Sequence, residues 1–547
     1  MSVLSSWIAH RLWLLNGAAS SRAYRAALGA PRRAQERLLL DLLRRNAESE
    51  FGRRHRFVAI HSLDEYRRAV PVSTYDDLAP DIERMKRGES NVLVTEPVLM
   101  FEKTSGSSGG AKYIPYTRSL RAEFMRAVEP WMDDLHRARP TLLRGPAYWS
   151  VSPPAAIGER TECGLPVGFS DDTEYFSPLA RRVLSTILAT PPELAQVPDM
   201  ESVRYVTLRF LLAAPRLAFV SVWNPSFLTL LLRALARHAD RLLDDLERGT
   251  LSAPHSLPTD LQRTLEARLR PAPNRVRQLR AALTSATSID FHRVWPHLAI
   301  VSAWGDAAAE RSLAELRTTL PRVEVQPKGL LATEGVTSIP VVGQDAAALA
   351  VTSHLLEFID DRGGVFAVDE IESGREYRVL LSTGGGLYRY DTGDRVRVVG
   401  RMQATPLVRF VGRGNLVSDL RGEKLDEPFV REAIDVALHE HAIPARFAML
   451  APEWGDPPRY LLFLEPAPGV VLSEAKRSEI AARLDAALAR NPHYELCQRL
   501  SQLGAVEVRG VQDGEARYLA RCVADGQRAG DVKPTPLHRA DRWSEWF

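Results

Sequence analysis

Lysine is scarce in this chain. Of its 71 basic side chains only seven are lysine: Lys86, Lys103, Lys112, Lys328, Lys424, Lys476 and Lys533. Arginine is therefore the general surface cation. The remaining lysines point to places where a compact charge is not replaced by a planar guanidinium. Cysteine is scarcer still, with three in 547 residues: Cys163, Cys497 and Cys522. They are too widely spaced for a disulfide framework or a metal cluster, and suit a reducing cytoplasm. A net charge of +3 gives no bulk electrostatic case for a nucleic-acid or membrane partner. No apolar run approaches the roughly 18 residues of a membrane span. The apolar stretch from Trp7 to Leu15 is broken by His10 and Arg11 and has no basic leader, so no secretory signal is expected. No internal repeat is visible.

What is present is the composition of a globular protein, 45% apolar and 25% charged. At about 100–200 residues per domain, the length suggests two to four domains. Residues 1–90 read as helices, with Gly52 stopping the run from Ala34 and Thr74 capping a helix after an extended Val70-Pro71-Val72. Residues 90–400 alternate between the two periods. Val92–Val94, Val98–Phe101, Tyr113–Tyr116, Phe219–Trp223 and Leu298–Trp304 read as strands. Ser226–Ala236, behind Asn224-Pro225, and Glu310–Leu320 read as helices. This alternation predicts an α/β architecture. From Arg375 short strands and glycine turns follow, and beyond about Asp419 a small α+β unit, with a boundary between Gly412 and Gly422.

The densest chemistry lies in Thr104-Ser105-Gly106-Ser107-Ser108-Gly109-Gly110-Ala111-Lys112. Glycines let backbone N–H groups approach an anion, and hydroxyls and an ammonium add donors. The segment sits between two strand-like runs, as a phosphate-holding loop would. It is not a Walker A loop, because Ala111 and Tyr113 stand where that motif needs glycine and a hydroxyl. A Gly/Ser linker has the same composition.

Three further segments join it: Lys328-Gly329-Leu330-Leu331-Ala332-Thr333-Glu334-Gly335, then Tyr388-Arg389-Tyr390-Asp391-Thr392-Gly393-Asp394, then Phe410-Val411-Gly412-Arg413 through Asp419 to Leu425. Each alone has an ordinary structural reading: Asp394 as a turn cap, Glu334 as a helix start, Arg413 as a surface pair. In this order the set resembles the adenylate-forming enzymes, and most closely the GH3 family of acyl-acid amido synthetases. Phe51-Gly52-Arg53, Val70-Pro71-Val72, Phe101–Gly106, Val222–Ser226 and Gly422–Leu425 are similar to family landmarks.

The resemblance implies an ATP-dependent ligase. It would activate a carboxylic acid as an acyl-adenylate and pass the acyl group to an amine, an amino acid being typical. Ser105, Gly106, Ser107 and Ser108 would hold the β- and γ-phosphates, with charge from Lys112. Thr333 would touch the α-phosphate, Glu334 would hold Mg²⁺, and Asp394 would accept from the ribose hydroxyls. Arg413 and Lys424 would close over ribose and phosphate. Lys533 is the candidate for a mobile lysine that neutralises charge on the α-phosphate. Trp149, Tyr175, Val222, Trp223 and Leu331 would line the acyl pocket. Leu330 stands where many such enzymes place an adenine-stacking aromatic, and the C-terminal lysine motif of the wider superfamily is poorly matched. The implied architecture is a large layered α/β N-terminal domain with a distorted β-barrel (residues 1–412), a hinge (413–422), and a mobile α+β domain (423–547). A thioester-forming acyl-CoA or acyl-carrier ligase, or a non-catalytic nucleotide-binding scaffold, remain the competing readings.

Overall fold

The computed structural model describes residues 3–104, 112–150, 159–168, 178–283, 289–306, 309–413, 417–527, 529 and 532–547. Helices Val3–Asn16, Ala18–Ala27, Pro31–Asn46, Glu50–Arg54, Leu63–Ala69 and Tyr75–Lys86 open it. Gly52 does not stop the third of these, as expected, but sits inside the fourth. A Cβ there would lie 2.1 Å from the Asn46 carbonyl oxygen, so only glycine lets the two helix ends meet. Val92–Val94 is not a strand. Its segment satisfies a helix start instead: Glu50 N–H donates to Asn91 O at 2.8 Å and Phe51 N–H to Val92 O at 3.0 Å. Val70–Val72 is likewise not a strand; Ser73 alone bridges to Tyr390.

Strands β1 (Met100–Thr104) and β2 (Lys112–Tyr116) pair antiparallel, Thr104 opposite Lys112, on either side of the glycine-rich segment. A parallel sheet follows, β3 (Ala147–Trp149), β4 (Phe219–Ser221), β5 (Ile300–Ala303) and β6 (Glu324–Pro327), in that spatial order. Helix Pro225–Arg248 leaves β4 through an Asn224 N-cap, its Oδ1 accepting from Ser226 N–H at 3.0 Å. Alternation splits the sheet. Ala147, Phe219 and Ile300 face one apolar core, Tyr148, Val220 and Val301 another.

β7 (Leu331–Ala332) and β8 (Gly335–Val336) make a tight hairpin. Next come β9 (Ser338–Ile339), β10 (Ala347–Leu349), β11 (Leu355–Ile359), β12 (Val365–Phe366), β13 (Glu376–Ser382), β14 (Tyr390–Met402) and β15 (Thr405–Arg413). They form one antiparallel sheet, ordered β12-β11-β13-β14-β15-β10-β9. Its end strands β12 and β9 do not pair with each other among the described residues. Register shifts along β14 bend it. β16 (Val417–Ser418) and β17 (Leu425–Asp426) lead to a smaller layer, β18 (Ala445–Glu453), β19 (Arg459–Pro466) and β20 (Glu507–Gly510). Helices Glu427–Glu440 and Glu474–Leu488 cover one face and Gly514–Ala524 the other. No described helix is long and apolar enough to cross a membrane.

Two buried histidines pin Val3–Asn16 to helix Arg118–Ala138. His10 Nε2 meets Gly145 O at 3.0 Å, His136 Nδ1 meets Met132 O at 2.8 Å, and the rings approach at 3.2 Å. Burial holds both below their ordinary value of 6.5, His136 at about 4. The unfolded chain therefore takes up protons first as pH falls. Stability is full above pH 6.5 and is lost towards pH 4, by on the order of 3 kcal/mol through His136. Urea midpoints measured from pH 7 to 4.5 are expected to fall accordingly, and more shallowly in His136→Asn.

Candidate functional site

The carboxyl ends of parallel strands are where open α/β sheets bind ligands. Here two indoles stand at those ends. Trp223 follows β4, Trp304 follows β5, and Trp304 N–H donates to Trp223 O at 2.8 Å. Trp304 is buried and packs edge-on against Phe410 of β15, centroids 5.2 Å apart. Trp223 is half-buried, with the Lys328 ammonium 4.6 Å from its ring centroid. The parallel sheet and the antiparallel sheet thus meet at this mouth.

Beside it lies a cluster of charge. Asp394 and Arg413 are opposite each other in the β14–β15 ladder, and Arg413 Nε donates to Asp394 Oδ1 at 3.0 Å. Asp394 is buried, while the Arg413 side chain is 35% exposed. Asp394, and to a smaller degree Glu334, push the Arg413 guanidinium well above its ordinary range. Thr333 and Glu334 form the two-residue turn between β7 and β8, rather than a helix start. Tyr116 of β2 donates to Thr333 O at 2.6 Å, tying that turn to the hairpin beside the glycine-rich segment. Lys112, at the head of β2, donates to the Tyr390 hydroxyl at 3.3 Å. The phenol of Tyr390 is pushed up by burial and then by Glu334, with a smaller contribution from Asp394. Lys112, Thr333, Glu334, Tyr390, Asp394 and Arg413 therefore form one neighbourhood drawn from three hairpins.

The C-terminal layer reaches the same mouth. The Lys533 ammonium stands 4.5 Å from the Trp304 ring centroid. Its segment is docked on both sides: Asn224 Nδ2 donates to Val532 O at 2.8 Å, and Tyr518 OH donates to Lys533 O at 3.0 Å. Glu427, the first residue of helix Glu427–Glu440, is buried against Arg413. Burial raises its carboxyl to about 7, against the lowering effect of Arg413 and Arg431.

Other expected residues are not part of that charged cluster among the described residues. Lys424 is exposed, and among the described residues no hydrogen bond or ion pair joins its ammonium to the Asp394 group. Val222 is fully buried on the far face of the sheet from Ser221, in the second core, so it lines no pocket at the mouth. Trp149 packs edge-on against Trp13, centroids 6.1 Å apart. Leu331 is buried in the first core, which the Trp223 ring also touches. Ser105, Gly106, Ser107, Ser108 and Tyr175 lie outside the described residues. Sequence reasoning missed Tyr390 and Glu427 as site residues, although both stand within or just after the motifs. It noted Lys328 as a rare lysine and as the first residue of the second motif segment, with no role of its own.

Two sheets meeting at a strand-end mouth, with a smaller C-terminal layer whose Lys533 stands over Trp304, define a mixed α/β protein with a large N-terminal domain and a smaller C-terminal one. The chain matches the models of the GH3 family N-terminal domain over residues 22–325, the GH3 family central domain over 347–413 and the GH3 family C-terminal domain over 429–541, and it belongs to the GH3 family. It is 26% identical to the probable indole-3-acetic acid-amido synthetase GH3.1 of Arabidopsis thaliana over 457 residues, 79% of this chain and 76% of that one. It is also 26% identical over 560 residues to the probable indole-3-acetic acid-amido synthetase GH3.12 of Oryza sativa subsp. japonica, with 91% and 90% covered. Its fold is that of the GH3.15 acyl acid amido synthetase, with a TM-score of 0.79 at 18% identity over 96% of this chain and 94% of that chain. For AtGH3.15 acyl acid amido synthetase in complex with 2,4-DB the TM-score is 0.82 at 18% identity, with 97% and 96% covered.

Proposed function

We propose that this chain is an acyl-acid amido synthetase. A carboxylate oxygen of the acid attacks the α-phosphorus of ATP and pyrophosphate leaves. The nitrogen of an amine, an amino acid in the family's usual reaction, then attacks the acyl carbon, and AMP leaves. The observation that carries this reading is the convergence of Lys112, Thr333, Glu334, Asp394 and Arg413 at a mouth where Lys533 is docked from the C-terminal layer.

Asp394 keeps Oδ2 clear of hydrogen bonds from the described residues, and this oxygen accepts from the ribose. Arg413 holds that carboxylate in place. Lys112 and the segment 105–111 hold the β- and γ-phosphates, and Lys533 supplies positive charge where the α-phosphate gains negative charge. Glu334 fits a role as the single protein carboxylate for Mg²⁺, an ion that takes one or two carboxylates and completes its shell with phosphate oxygens and water. That ion would neutralise phosphate charge. Residues 413–422 are the hinge, between a larger body of 1–412 and a mobile body of 423–547. A reducing cytoplasm suits the three free cysteines.

The test is exchange of labelled pyrophosphate into ATP with a panel of carboxylic acids, followed by product analysis with amino acids and with thiols. Acid-dependent exchange with amide product is expected. Thioester with no amide makes the chain a thioester ligase, and silence with every acid makes it a scaffold.

A further inference from the structure

Helix Val3–Asn16 turns its apolar side outward. Leu4, Trp7, Ile8, Arg11, Leu12 and Leu15, three and four residues apart, share its solvent face. Leu4 is 67% and Leu15 69% exposed. The inward face is Ser6, Ala9, His10 and Trp13, and it is partly polar: Ser6 Oγ donates to Gly145 O at 3.0 Å, the carbonyl that also meets His10. His10 and Arg11 interrupt the apolar run in the sequence, and the fold sends one inward and the other out. A helix that is apolar on all sides is normally covered on all sides. Single exposed apolar side chains are ordinary, but these are massed. Of the fifteen large apolar side chains exposed among the described residues, six belong to this one helix.

The charge around this face has one sign. The helix packs against helices Ala18–Ala27, Arg118–Ala138 and Pro178–Ile187 and the short turn Pro140–Arg144. The helix itself and three of these four neighbours contain arginine and no carboxylate. Arg11, Arg22, Arg25, Arg144 and Arg182 are exposed. Arg25 is held by Asp133, and the other four have no ion pair among the described residues. The carboxylates of the fourth neighbour, helix Arg118–Ala138, are engaged elsewhere. Glu123 is buried on His354, Asp134 accepts from Val342 N–H at 2.8 Å, and Glu129 is half-buried beneath Gly17. The Arg11 guanidinium lies 5.2 Å from the Trp7 ring centroid, so the cation rides on the edge of the apolar stripe. A whole-chain charge of +3 conceals this local imbalance. An apolar stripe with a tryptophan and a rim of arginine is the composition of a helix lying in a lipid interface. A second copy of the chain suits the face less well, because two-fold packing would set these arginines against the same arginines.

We propose that the outward face of helix Val3–Asn16 docks the protein on an anionic lipid surface. Leu4, Ile8, Leu12 and Leu15 enter the boundary of the acyl chains, while Arg11, Arg22, Arg144 and Arg182 meet lipid phosphates. The helix lies on the membrane and does not cross it, because its 14 residues are too few to span one. This surface does not depend on the reaction assigned above.

The experiment is co-sedimentation of the full chain with phosphatidylcholine vesicles and with vesicles that also carry about a third phosphatidylglycerol. Partition onto the anionic vesicles is expected to exceed that onto the neutral ones by about 100-fold at roughly 0.1 M salt, and most of that excess is expected to vanish at about 1 M. Leu4→Gln with Leu12→Gln changes two exposed positions and leaves the core intact, as near-UV circular dichroism would verify. It is expected to lower partition by about 10-fold or more. Arg11→Gln with Arg22→Gln is expected to lower it on the anionic vesicles alone. Absence of binding to anionic vesicles overturns the proposal, as does equal binding to both kinds or binding that survives both pairs of substitutions. A concentration-dependent dimer that the leucine pair splits, without vesicle binding, gives the face to a second copy and overturns it. Capture by immobilised polyglutamate in place of vesicles gives the face to an acidic protein and overturns it as well.

Discussion

Replacing Lys533 by alanine is expected to slow acid-dependent pyrophosphate exchange by about 10²–10³, the usual cost of one electrostatic contact made to a transition state. Lys533 is exposed, and its contact with the Trp304 face is worth about 0.5–1 kcal/mol at such a site. Thermal unfolding measured beside the rate separates the two roles: a rate that collapses by far more than the stability falls marks a group acting on the reaction. The contact that docks the segment runs through the Val532 carbonyl and survives the substitution. Lys533→Arg is expected to restore only part of the rate, since a planar fork does not occupy the place of a point charge. Amide formation from supplied acyl-adenylate separates the two half-reactions and is expected to change far less. A variant exchanging pyrophosphate within threefold of the parent rate would place the needed cation elsewhere.

Asp394→Asn is expected to raise KM for ATP about 10- to 100-fold with little change in KM for the acid. The substitution removes a charge-assisted acceptor, worth about 1.5–3 kcal/mol. It also leaves the Arg413 guanidinium, which Asp394 now stabilises in its charged form, without its carboxylate partner. Arg413 is 35% exposed, so water screens part of that loss and a folded variant is expected. Initial rates of exchange at varied ATP and varied acid give the two constants. Equal effects on both would make Asp394 a general support of the sheet rather than a nucleotide contact.

Local signals carried much of this fold. Asn224-Pro225 announced a helix start because cap and proline chemistry act within a few residues, and helix Pro225–Arg248 begins there. Val92–Val94 misled, because an apolar run is equally at home as buried coil whose carbonyls serve another helix. The motif segments were legible as a set, but their meeting was not. Lys112 reaches Tyr390 across 278 positions of sequence, and only the stacking of hairpins brings them together. Val222 was misplaced for a simpler reason: in a strand, adjacent residues face opposite ways, and Ser221 has the mouth side. Glu427 gave no signal, since its unusual proton affinity comes from burial created by tertiary packing.

Asn224 serves two masters. Its Oδ1 starts helix Pro225–Arg248 while its Nδ2 grips the Val532 carbonyl, in a side chain only 5% exposed. Its neighbour in the chain is Trp223. If the terminal strap lifts, a dry amide is orphaned one residue from that indole, and the helix loses the tether that steadied its first turn. Whether the strap is seated is thus felt directly at Trp223, without any relay through the intervening core.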